Sequence, residues 1–236
     1  MKLKQIINLK SKYLISKVSL IMLIMCAVLL ILASAFSFFN IDNYMSYDEK
    51  KEELFINIFS ITKYIITILG VYLFIYGITF KNDFLYYLLA PLKVSRVKAI
   101  MVTIVINVIL CSILYLLSYG IFLLFGYFLK GFYLKVDYIY AFFLSFLITL
   151  FYSFLGMLVM QAFKNYFSLL VVVTLFILSN NIAGQINNDL SKYVLIILPN
   201  TNEFGLYIAP WWYLVILVIF LCFINVIIYN EKDLNW

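Results

Sequence analysis

An all-α membrane fold of six transmembrane helices is what the sequence predicts, on three observations. Six long uncharged stretches, 18–39, 64–80, 99–129, 138–163, 165–188 and 204–230, fill most of the 236 residues. Each is close to or longer than the roughly 20 residues that cross a hydrocarbon core. Only 12% of residues are charged and 66% are apolar, so a soluble fold would lack its polar coat. Cations are also distributed unevenly: with the N-terminus taken as cytoplasmic, one side holds 11 of the 17 Lys and Arg but 3 of the 11 acids. That is the pattern of the positive-inside rule, and it sets both termini in the cytoplasm, with 41–53 and 185–203 outside.

The elements follow in order, with spans at about 18–39, 56–80, 99–126, 138–163, 166–184 and 210–230 in one domain, 1–236. Residues 1–17 carry Leu3, Ile6, Ile7, Tyr13 and Leu14 at helical spacing, with Lys2, Lys4, Lys12 and Asn8 on other faces. This suits a helix lying in the membrane interface, the alternative being a basic tail that only sets topology. The 22 apolar residues that follow exceed a signal-peptide core and lack a small-residue cleavage pattern, so the first span reads as an uncleaved anchor.

After span 2 comes FKNDFLYYLLAPLKVSRVKAI, from Phe80 to Ile100. Phe84, Leu85, Leu88 and Leu89 share one face of a short helix that Pro91 stops, and Lys93, Arg96 and Lys98 follow as a basic cluster. Such a knob suits docking into a groove of a soluble partner; a loop skimming the membrane is the plainer alternative. Residues 190–198, too short to cross a bilayer, read as a re-entrant or interfacial piece ended by Pro199 and the Asn200-Thr201-Asn202 turn, or as an external loop with some helix.

Inside the spans, small and hydroxyl residues fall on stripes: Thr67, Gly70 and Gly77 on helix 2; Ser112, Tyr115, Tyr119 and Gly126 on helix 3; Ser145, Thr149, Tyr152, Ser153 and Gly156 on helix 4. Close helix packing is the expected role, with a substrate path second. Lys63, near the outer end of helix 2, reads as a snorkelling lysine rather than a path residue, which leaves the lumen uncharged. Trp211 and Trp212 fit an aromatic belt.

Several chemistries have no residues to run on. The chain has no His, no CxxC and no GxxxxGK[ST] cradle, so a His-dependent enzyme, a zinc site and a P-loop ATPase are not supported. Cys26, Cys111 and Cys222 lie within spans as small core residues. The +6 net charge is a topology signal and a contact for anionic lipid, because the cations are scattered over loops; nucleic-acid binding is not expected.

The segment Leu88-Leu89-Ala90-Pro91 followed by Val94-Ser95-Arg96 resembles the region after the second span of ABC-2 type transporter permeases. Gly156 and the Gln161-Ala162-Phe163-Lys164-Asn165 turn, Leu198-Pro199 before the last span, and the short end 229–234 are similar to the same family. Two residues, Leu92 and Lys93, separate Pro91 from Val94, and no glycine precedes the Leu-Leu pair.

The resemblance implies a type V exporter-like bundle with an N-terminal interfacial helix, a cytoplasmic coupling helix and outer re-entrant helices before the last span. It implies a subunit of an ATP-driven exporter that works as a homodimer or with a paralogous permease. A separate nucleotide-binding ATPase would bind ATP and magnesium, and this chain would hold no cofactor itself. Phe84, Leu85, Leu88, Leu89, Pro91 and Arg96 would contact that ATPase. Helices 1 and 5 would form the dimer face, Ser168, Thr174 and Ser179 marking small positions on helix 5. The cargo class is hydrophobic or amphipathic, with peptide export and bacteriocin or lantibiotic immunity as the nearest likenesses, and the location is the bacterial plasma membrane. The second class considered is a membrane component not driven by ATP, such as a vitamin-importer binding subunit or a protein-translocase subunit.

Overall fold

The computed structural model describes residues 17–41, 46–78, 96–128, 136–165, 167–184 and 189–231. Among these it contains seven helices and no strand: α1 (Lys17–Phe39), α2 (Tyr47–Gly77), α3 (Arg96–Tyr127), α4 (Val136–Phe163), α5 (Phe167–Ala183), α6 (Asp189–Ile197) and α7 (Trp211–Glu231). Five of them, α1, α2, α3, α4 and α7, are long and apolar enough to cross a membrane. The protein is an all-α, multi-pass membrane protein. The fifth expected span, 166–184, is α5, a 17-residue apolar helix at the short end of the lengths that cross a bilayer.

α2 begins nine residues before the expected start at 56, so most of 41–53 is helix rather than loop. The cause is local. Ser46 caps the helix by accepting from the Glu49 backbone N–H, and the Glu49 carboxylate accepts from the Ser46 N–H at 2.8 Å, a complete capping box. Charged residues ended the uncharged run but not the helix; Lys51 and Asp48 pair at 3.0 Å along the first turns. With 31 residues α2 is about 46 Å long, well over a bilayer's roughly 30 Å core.

α2 and α4 form the centre and pack most extensively on each other; α1 and α3 flank α2, while α5 and α7 flank α4. The outer faces of α1 and α7 are apolar and exposed, as Ile21, Leu32, Phe36, Phe220 and Phe223 show. In water that arrangement would be unstable, and lipid or another apolar surface supplies what is missing. α4 ends at Phe163 through Lys164, whose φ of 54° is left-handed, and Asn165 Oδ1 then accepts the Phe167 N–H to start α5. The turn expected at 161–165 is shorter than that: Gln161, Ala162 and Phe163 still belong to α4, and the chain leaves the helix only at Lys164.

At the end of the bundle where α2 starts, an aromatic cluster closes the core. Phe55 stacks on Tyr138 with ring centroids 4.5 Å apart and on Phe59 at 5.2 Å, with Phe122 and Phe142 edge-on.

Candidate functional site

The polar stripes of α2, α3 and α4 meet one another inside the bundle. Thr67 Oγ1 lies 2.8 Å from Thr149 Oγ1, and the Tyr115 hydroxyl lies 2.7 Å from Thr149 Oγ1 and 2.9 Å from Ser145 Oγ. All four residues are buried. Gly70 makes this approach possible: a Cβ there would stand 2.9 Å from both Ser153 Oγ and Thr149 Cγ2, and 3.4 Å from Cys111 Sγ. The packing role expected of these stripes is what the contacts display. Helix backbones that approach closely in lipid gain dispersion and side-chain hydrogen bonds in place of an apolar driving force.

A second polar group ties α4 to α7. Asn225, fully buried, donates to the Phe154 carbonyl at 3.0 Å and the Leu221 carbonyl at 2.8 Å, and accepts from Gln161 Nε2 at 3.0 Å. Asn107 on α3 donates to the Leu73 carbonyl of α2 at 3.2 Å.

The least ordinary feature is the connection between α6 and α7. α6 stops at nine residues, and the chain then turns into the bundle: Pro199, Asn200 and Thr201 are all buried. Asn200 Nδ2 donates to Ser179 Oγ at 2.9 Å and to the Phe176 carbonyl at 3.4 Å, while the Tyr152 hydroxyl donates to the same Ser179 oxygen at 2.7 Å. Asn180 Nδ2 bonds the Tyr64 hydroxyl beside them. Asn202 shapes the turn by accepting from the Phe204 N–H at 3.1 Å and the Leu206 N–H at 2.8 Å. Gly205 then passes α4 with φ of 76°, where a Cβ would fall 2.2 Å from Ala141 Cβ, so both conformation and space require glycine. Tyr207 donates to the Leu195 carbonyl at 3.2 Å, and burial, with the neighbouring Tyr213 phenol second, pushes its hydroxyl pKa up and keeps it a donor.

Lys63 corrects the sequence reading. It does not snorkel: only 3% of its surface is exposed, and Nζ donates to the Thr201 carbonyl at 2.9 Å across 138 residues of sequence. It lies 16 residues into α2, about 24 Å along the helix, because the early start of α2 moves the helix end away from it. The ammonium also sits 5.8 Å from the centroid of the Phe59 ring, within cation–π range, and the exposed Glu203 carboxylate acts on it electrostatically. The bundle interior is therefore not uncharged. No stripe or spacing signalled this pairing.

Two apolar clefts open on the surface of the bundle. One, of about 280 Å3 between α3 and α4, is lined by Tyr115, Tyr119, Phe142, Phe143 and Phe146 among others; the other, about 430 Å3, lies between α1, α2 and Leu169 of α5. On α5, Ser168 and Ser179 face their own bundle, Ser168 toward Met160 and Ser179 toward Tyr152, so only Thr174 of the three small positions is exposed. Cys111 is buried, and Cys26 and Cys222 are half-buried.

Phe84, Leu85, Leu88, Leu89 and Pro91 lie outside the described residues, and Arg96 is the first residue of α3. Neither a family model nor a curated protein matches the sequence.

Proposed function

We propose that the chain is the permease subunit of an ATP-driven exporter of the ABC-2 type. In this reading α5 is the fifth of six spans, both termini are cytoplasmic, and the 199–205 loop closes the outer end. Two such units, or one with a paralogous partner, form the pathway in a bacterial plasma membrane, and a separate ATPase binds ATP and magnesium. The cargo is a hydrophobic or amphipathic molecule, peptides included.

The observation that carries this reading is the α6–α7 connection: a nine-residue helix followed by a turn whose Pro199, Asn200, Thr201 and Gly205 are buried against the bundle while Glu203 and Phe204 stay exposed, shortly before the last helix. Irregular backbone at membrane depth is tolerated where protein buries it or where it borders a cavity, and transport pathways use that device. The sequence likeness at Leu88-Leu89-Ala90-Pro91 and Val94-Ser95-Arg96 adds the ATPase-docking side. An aromatic-lined apolar cleft between α3 and α4, and a second one between α1, α2 and α5, suit a cargo carrying more apolar surface than charge.

The test is biochemical. Full-length tagged chain, solubilised mildly from its native membrane, is expected to bring down a nucleotide-binding subunit, and Leu88→Asp with Arg96→Glu is expected to abolish that capture while the chain stays inserted. Introducing charge and reversing charge at a docking face typically costs about 2 kcal/mol or more at a central anchor. Capture of no nucleotide-binding subunit by the unaltered chain would transfer the assignment to the membrane components not driven by ATP.

A further inference from the structure

We propose that Lys63 and Thr201 form a latch that holds the 199–205 loop inside the bundle, and that this end of the protein opens by breaking their contact. The latch rests on the export reading only for its purpose; its existence is a property of this chain alone.

Burying an ammonium in an apolar bundle is unfavourable unless partners compensate it, and an intramembrane charge of this kind is seldom a packing device. A methionine would fill the same volume with no desolvation penalty. Lys63 instead spends its charge on one backbone carbonyl of a loop that belongs to neither neighbouring helix. Its direct hydrogen-bond acceptor among the described residues is Thr201, while the Phe59 ring and Glu203 add electrostatic attraction. The bond therefore does one thing that an apolar contact would not: it ties α2 to the 199–205 loop in one register.

The seat of the loop is also incompletely satisfied. Thr201 Oγ1 is buried, on a residue 0% exposed, and has no hydrogen-bond partner among the described residues. An enclosed hydroxyl without a partner weakens the state that encloses it, and hydration on opening would relieve it. The closed arrangement thus combines a charge-assisted tie with a buried hydroxyl that lacks a partner among the described residues. Remaining ties are modest and neutral: Asn200 to Ser179 and Phe176 on α5, and the close fit of Gly205 against Ala141.

The experiment uses the full chain in native membranes made permeable to a hydrophilic maleimide, with Cys26→Ala and Cys222→Ala to lower the background. Thr201→Cys reports the loop, and native Cys111, 0% exposed at the α2–α4 contact, reports the integrity of the bundle. With Lys63 present, residue 201 is expected to react slowly. Lys63→Met is expected to speed its labelling about tenfold while Cys111 stays protected, and Lys63→Arg, which keeps the donor and the charge, is expected to stay near the parent rate.

Unchanged labelling of residue 201 in Lys63→Met would overturn the latch. If Lys63→Met exposes Cys111 as well, Lys63→Gln decides, because its amide still donates: protection restored at both positions supports the latch, and continued exposure of both reduces Lys63 to a residue the fold needs for packing. Capture of the ATPase is scored separately in the same membranes, so failure of the exporter reading and failure of the latch are distinguishable.

Discussion

Gly70→Ala isolates how much of this bundle depends on backbone approach between α2 and α4. The new Cβ would lie 2.9 Å from Ser153 Oγ and from Thr149 Cγ2, closer than such atoms tolerate. Ser153 Oγ has no hydrogen-bond partner among the described residues and yields easily, but Thr149 is held to Thr67 at 2.8 Å and to Tyr115 at 2.7 Å. Moving Thr149 strains or breaks those bonds, each worth about 0.6 kcal/mol between membrane helices, and adds overpacking of about 1–3 kcal/mol. Replacing glycine by alanine returns up to about 1 kcal/mol of helix propensity, leaving a net loss of about 1–3 kcal/mol. Gly120→Ala supplies the control, since a Cβ at Gly120 meets nothing within 4 Å and the propensity gain acts alone. Thermal unfolding in detergent should therefore place Gly70→Ala roughly 2–12 °C below the parent and Gly120→Ala level with it or above. Adding Thr149→Ser and Ser153→Ala removes both obstructing atoms and keeps the Thr149 hydroxyl, so the triple variant should recover most of the loss. If Gly70→Ala melted with the parent, or if the triple variant failed to recover, the close-approach account of this contact would be wrong.

Two further outcomes are expected. Lys164→Gly should raise the unfolding temperature, because φ of 54° strains an L side chain by about 1 kcal/mol that glycine does not incur; a fall would show that the Lys164 side chain matters more than its backbone. Asn225→Leu should destabilise by about 2 kcal/mol through loss of its bonds to Phe154 and Gln161, and pairing it with Gln161→Leu should recover part of that, since removing both partners leaves fewer orphaned groups. A double-mutant cycle measures the coupling, and zero coupling would count against a Gln161–Asn225 bond.

Runs without charge located the hydrophobic segments but misplaced their ends. Helix ends are set by capping and hydrogen-bond satisfaction, so α2 continues through Glu53, Glu52 and Lys51 to the Ser46 cap. The signal for that end, serine followed three residues later by glutamate, stands in the sequence and outweighs charge as a boundary marker. The packing stripes were legible because small and hydroxyl residues recur at helical spacing, and Thr67, Gly70, Thr149 and Ser153 do meet. On α5 the same rule identified small residues but not their direction, and Ser168 and Ser179 turned inward.

By itself, then, the sequence determined that the chain is a membrane protein of apolar helices and which faces of α2 and α4 come together, because hydropathy and helical period are local properties. Only the tertiary structure decided where Lys63 goes. Its distance from the membrane boundary depended on a helix start at Ser46, and its partner is a backbone carbonyl at Thr201, which carries no residue-type signal. A lysine near a span's edge reads as snorkelling until the loop that returns to bury it is in place. That return is long-range, set by Gly205 against Ala141 and Asn200 against Ser179, and no local pattern specifies it.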